Sequence, residues 1–130
     1  MRRTTKNEQG QALVEFALVA PILFLILFGI IQFGIAFMHS VALTDAVRAG
    51  ARKAAVSRSA TDPTLATKNA VVGAASDLDA GTLTPRITVT STWQSGSNVT
   101  VTATYPYQIN LLGIVVASGD LHSTTTERVE

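Results

Sequence analysis

The sequence predicts an α+β fold, a long N-terminal transmembrane helix followed by a small antiparallel β-sheet domain, and three observations predict it. Residues 16–38 carry no charge, small and apolar side chains then recur every three or four residues, and beyond Gly81 the period falls to two. Composition agrees: 47% of residues are hydrophobic and only 15% charged, where an ordinary soluble domain carries about 25% charged residues. The 130 residues suit one small domain beside a membrane segment. A net charge of +1 gives no general attraction to nucleic acid.

The first element is the span. From Phe16 to Met38 only Gln32 is strongly polar. As a helix this stretch reaches roughly 35 Å, against about 30 Å of bilayer hydrocarbon. A soluble core helix of that length would need apolar cover on every side, and no later segment offers a comparable partner. The helical pattern continues through Val41, Ala42, Ala46, Val47, Gly50, Ala54 and Ala55 to about Ser57, with Asp45, Arg48, Arg52 and Lys53 between. Ala42, Ala46, Gly50 and Ala54 form a stripe of small residues that permits another backbone to approach closely, or that reflects alanine's helix propensity alone.

A break at residues 59–62 is followed by Asp62-Pro63, an N-cap and first helical residue, opening a short helix to about Ser76. Next, Ile87, Val89 and Ser91 alternate with threonines, as do Val99, Val101 and Ala103, giving two half-buried antiparallel strands. Residues 93–98 form the hairpin loop between them, with Gly96 free to take positive φ. Pro106 ends the second strand or sits on a sheet edge. The apolar run Leu111 to Ala117 reads equally as buried loop, short helix or strand, and Leu121 to Val129 as a last strand.

The residue types that do chemistry are sparse. There is no cysteine, so disulfides, thiolate nucleophiles and cysteine metal sites are excluded. His39 and His122 stand far apart without clustered carboxylates, and no phosphate loop or nucleophile elbow occurs. The expectation is a protein that is not an enzyme and has no cofactor. His39 suits a membrane interface, and Gln32, deeper in the span, suits either an interhelical contact or the same interface.

Immediately before the span stands Gly10-Gln11-Ala12-Leu13-Val14-Glu15-Phe16, a glycine followed five residues later by the one charge at the membrane edge. This resembles the prepilin-peptidase site of type IV pilin-like proteins, and the longer string GQALVEFALVAPILFLILFGIIQFG is similar to the start of the TadE-like family. The stretch from Asp45 to Arg52 resembles that family's alanine-and-arginine segment, and the threonine-rich strands resemble its C-terminal half more weakly. The resemblance implies cleavage between Gly10 and Gln11, with Arg2, Arg3 and Lys6 in a removed leader and Glu15 and Phe16 in subunit assembly. It thus divides the chain into a leader (1–10), a transmembrane and extended helix (11–58) and a small extracytoplasmic α+β domain (59–130).

By the same resemblance the chain is a minor pilin-like subunit of a tight-adherence type IVc pilus, involved in pilus biogenesis, adhesion and surface attachment. Its implied partners are prepilin peptidase, other Tad pilin-like subunits, the inner-membrane assembly platform and the lipid bilayer, with no nucleic acid. Positive residues flank the span on both sides, so charge counting leaves the orientation open. The resemblance places the N-terminus in the cytoplasm and the C-terminal domain beyond the cytoplasmic membrane. Two other readings remain. A secretory signal would be cut near Ser40-Val41-Ala42, although the apolar run exceeds the usual 7 to 15 residues of such signals. A signal-anchored protein would keep residues 1–10 and use its β-domain to bind a ligand or surface.

Overall fold

The structure, a computed structural model, describes residues 6–130. Helix α1 (Lys6–Ala55) is 50 residues long, about 75 Å at 1.5 Å per residue. It passes through Pro21 without interruption. It stops at Ala55, where Arg52 and Lys53 complement the negative end of the helix dipole. The Ser57 N–H then closes the turn on the Ala54 carbonyl at 3.0 Å.

Helix α2 (Pro63–Ala74) starts as the sequence predicts: the Asp62 carboxylate accepts the Leu65 N–H at 2.9 Å, and Pro63 takes the first turn. It ends two residues before the expected Ser76. The small-residue stripe has its use within the chain. A Cβ built on Gly50 collides with Val71 Cγ2, so α2 lies closer to α1 than any larger residue there would permit. Ala46, Ala54, Thr67 and Val71 are fully buried at this contact.

A short helix α3 (Ala80–Leu83) and a 3-10 turn (Thr84–Arg86) lead into the sheet. Asp79 caps α3, accepting the Thr82 N–H at 2.7 Å. Hydrogen bonding from the Thr82 hydroxyl, and then from its N–H, holds the Asp79 carboxyl below its ordinary 3.8.

Strands β1 (Ile87–Ser91), β2 (Asn98–Leu111) and β3 (Ile114–Arg128) form one antiparallel sheet in the order β1-β2-β3. The two-residue alternation is realised: Ile87, Val99, Val101 and Ala103 are buried, while Thr88 and Thr90 face outward. On the outer face Thr100 pairs with Thr126 at 2.9 Å and Thr102 with Thr124 at 3.0 Å. The inner face packs on Leu43, Val47 and Ala51 of α1, with Leu83 and Val129 completing the core. The C-terminal residue closes the unit, its N–H donating to the Ala55 carbonyl at 2.9 Å.

Three sequence readings resolve here. Pro106 does not end β2; it pairs with Asp120 beyond the last β1 pair, Ile87 with Ala103, where the missing neighbour leaves an edge that needs no N–H. The last strand begins at Ile114, not Leu121. The ambiguous run Leu111–Ala117 is neither buried nor helical: it is the end of β2, a tight turn at Leu112-Gly113 and the exposed start of β3.

Candidate processing and assembly site

All four residues named as site candidates lie on the first turns of α1. Gly10, Gln11, Glu15 and Phe16 are exposed. The Gln11 side-chain amide donates to Glu15 Oε1 at 3.3 Å, one helical turn away. Phe16 stands 68% exposed on the other side of that turn. Helical twist thus joins Gln11 to Glu15 but leaves Gly10 and Phe16 without contacts to them. Arg2 and Arg3 of the expected leader lie outside the described residues, and Lys6 opens the helix.

Among the described residues nothing packs against Gly10. A Cβ built on it meets nothing within 4 Å, and the same holds for Gly29 and Gly34. Glycine in a helix interior costs roughly 1 kcal/mol relative to alanine. In α1 only Gly50 offsets that cost by admitting a neighbour from its own chain.

The helix beyond the site is apolar on every side. None of the most apolar 18-residue window of α1 is buried, and Leu18, Ile22, Phe24 and Ile30 are all exposed. A face of that size cannot stand in water, and the helix fits a single-pass membrane anchor. At the far end the sheet domain meets the span: His39 packs edge-on against Tyr105 with ring centroids 5.7 Å apart. Gln32 lines a cleft with Gln108 and Tyr107, so it faces its own sheet domain. Beside it, Phe33 and Phe37 share a second cleft with Tyr107, Ile109 and His122. These clefts escaped the sequence reading, because they depend on how residues 105–109 and 120–122 lie along α1.

Among the described residues no three His, Asp or Glu side chains approach one another as metal ligands. The one long-range ion pair among them, Arg86 with Asp120 at 3.0 Å, is half exposed, and such pairs contribute little.

At the threshold applied, no curated protein and no solved structure matches this chain. A family model described as TadE-like protein matches residues 10–52. The match runs from Gly10 through the exposed span to the buried stripe that carries Gly50, leaving the sheet outside it. Over this N-terminal segment the chain is similar to the TadE-like family.

Proposed function

We propose that this protein is a minor pilin-like structural subunit of a tight-adherence pilus, inserted by α1 into the cytoplasmic membrane and matured by prepilin peptidase between Gly10 and Gln11. The observation that carries the reading is the coincidence of the family match with a helix whose most apolar window is unburied and which carries Glu15 just before that stretch. A structural subunit needs such a surface twice, first in lipid and then against neighbouring helices of an assembly.

The leader (1–10) is then removed on the cytoplasmic side, leaving the helix of residues 11–58 and the domain of residues 59–130 outside. Prepilin peptidase, the other Tad pilin-like subunits and the inner-membrane platform are its partners in pilus biogenesis, adhesion and surface attachment. Gly10 supports the processing step: among the described residues nothing packs against it, and the absent side chain suits a scissile position.

The test is N-terminal sequencing of the full chain expressed with and without a prepilin peptidase. Maturation should yield Gln11 as the first residue, and Gly10→Leu should abolish it by placing bulk at the scissile position. An uncleaved wild-type chain in the presence of active peptidase would overturn the reading and favour a signal-anchored binding domain.

A further inference from the structure

We propose that the tip of the β2–β3 hairpin is a second membrane contact, dipping into the acyl boundary of the bilayer beside the far end of α1. The inference rests on α1 spanning the membrane, as proposed above.

The tip departs from the pattern of the strands that lead to it. Along residues 98–104 the hairpin alternates, with valine or alanine inward and polar residues outward, because one face is packed and the other is in water. Beyond Leu111 the alternation stops. No residue from 107 to 119 is charged, and Leu111, Leu112, Ile114, Val115 and Val116 place apolar side chains on both faces. Leu112, Ile114 and Val116 are 71%, 69% and 55% exposed. A hairpin apolar on both faces suits an environment that is apolar on both faces.

The turn residue adds an independent observation. Leu112 has φ 53° and Gly113 φ 90°, the two-residue turn in which Asn, Asp or Gly is normally found at the first position. A leucine there is disfavoured by its backbone and, in water, by its exposed side chain. The side-chain penalty is relieved if the tip meets hydrocarbon. The Asn110 side chain is satisfied locally, accepting the Gly113 N–H at 2.9 Å.

Position identifies the occupant as lipid. Tyr107 and Ile109 share a cleft with Phe33, Ala36 and Phe37, the last turns of the uncharged span. Leu112 lies three residues further along the strand, up to roughly 10 Å deeper at about 3.3 Å per residue. That is the depth to which interfacial segments bury apolar side chains, about 5–10 Å. Tyr105 and Tyr107 stand at the height of an aromatic belt, and Asp120, paired with Pro106 between them, meets Arg86 at that same level. The free edges of β2 and β3 keep the backbone at headgroup level, since unpaired peptide groups are not tolerated deep in hydrocarbon.

The absence of native cysteine permits a direct test. The full chain carrying Leu112→Cys, Phe24→Cys or Thr88→Cys is labelled with bimane and reconstituted into phosphatidylcholine–phosphatidylglycerol vesicles, with and without dibrominated acyl chains. Bromine quenching at Leu112 should approach that at Phe24 and exceed that at Thr88 by at least about twofold, as burial in the acyl boundary requires. Trp93 emission, from a residue packed against the core, serves as the check that each variant is folded. Quenching at Phe24 with none at Leu112 overturns the hairpin contact and leaves the span intact. Loss of quenching at both sites overturns the span and the hairpin contact together. Shielding of Leu112 from water without bromine quenching, appearing only as the protein-to-lipid ratio rises, assigns the tip to a second copy of the chain and overturns the lipid contact.

Discussion

Glu15 is a carboxylate at the edge of a helix that is otherwise apolar for more than twenty residues, a placement that is costly unless the charge is solvated or paired. In the intact chain it accepts a hydrogen bond from the neutral Gln11 amide. Cleavage after Gly10 would turn Gln11 into an α-amine, giving Glu15 an opposite charge one turn away or on a neighbouring chain. Pairing between chains fixes axial register, because a mispaired carboxylate remains desolvated and alone. Glu15→Ala should therefore leave processing and membrane abundance unchanged while co-purification with other pilin-like subunits is lost; unchanged co-purification would remove Glu15 from assembly. Gly50 obeys the opposite logic, since its constraint is internal. Gly50→Leu pushes Val71, and α2 with it, away from α1 and should cost about 3 kcal/mol by overpacking. Thermal unfolding in detergent, followed through Trp93, measures that loss.

At the scale of elements, the sequence is most legible where one physical requirement acts alone. Asp62-Pro63 specifies a helix start because capping and the missing proline N–H are local properties, and α2 begins there. The Val/Thr alternation specifies β1 and most of β2 because one wet face and one dry face impose period two. Legibility fails at residues 111–117, where both faces are apolar and periodicity carries no signal; the glycine at 113 between two apolar runs was the available clue to a turn. It fails again at Trp93, held at φ 55° in the first hairpin loop where only Gly96 was expected to be positive. The Trp93 indole packs on the core, and that tertiary contact is invisible in local sequence. The candidate processing site was readable because its signal is a motif, whereas the clefts around Gln32 and Phe33 depend on how the hairpin lies along α1. Within the legible part, Val101 is fully buried between Val89 and Thr125. Val101→Asp should cost several kcal/mol, about 3–5 by analogy with unpaired buried charges. Limited proteolysis should then degrade residues 78–130, and unchanged resistance would take Val101 out of the core.

For the whole molecule, α1 is one helix with two solvents. Residues 16–38 present apolar side chains on every side, while the last third of the helix has an inner face of Leu43, Ala46, Val47, Ala51 and Ala54 that is wholly buried and an outer face of Asp45, Arg48 and Arg52 that is exposed. Full burial begins at Leu43, although the sheet already lies along one side of the helix from Gln32. The three strands have no second layer of their own, and a single sheet must bury one face against another element. The last turns of α1 are that element, and the Glu130 N–H bonded to the Ala55 carbonyl ties the end of the chain to them. Membrane anchor and folded domain are therefore mechanically continuous, so force or register applied to the span passes into the sheet without a flexible linker. A fragment of residues 41–130 should fold as a water-soluble unit with a cooperative thermal transition. A fragment of residues 59–130, although it contains every strand and both shorter helices, should remain unfolded, because it lacks the five buried side chains of α1. Circular dichroism and amide exchange on the two fragments measure the difference. A cooperative transition in the shorter fragment would show that the sheet and α2 make a sufficient core without α1.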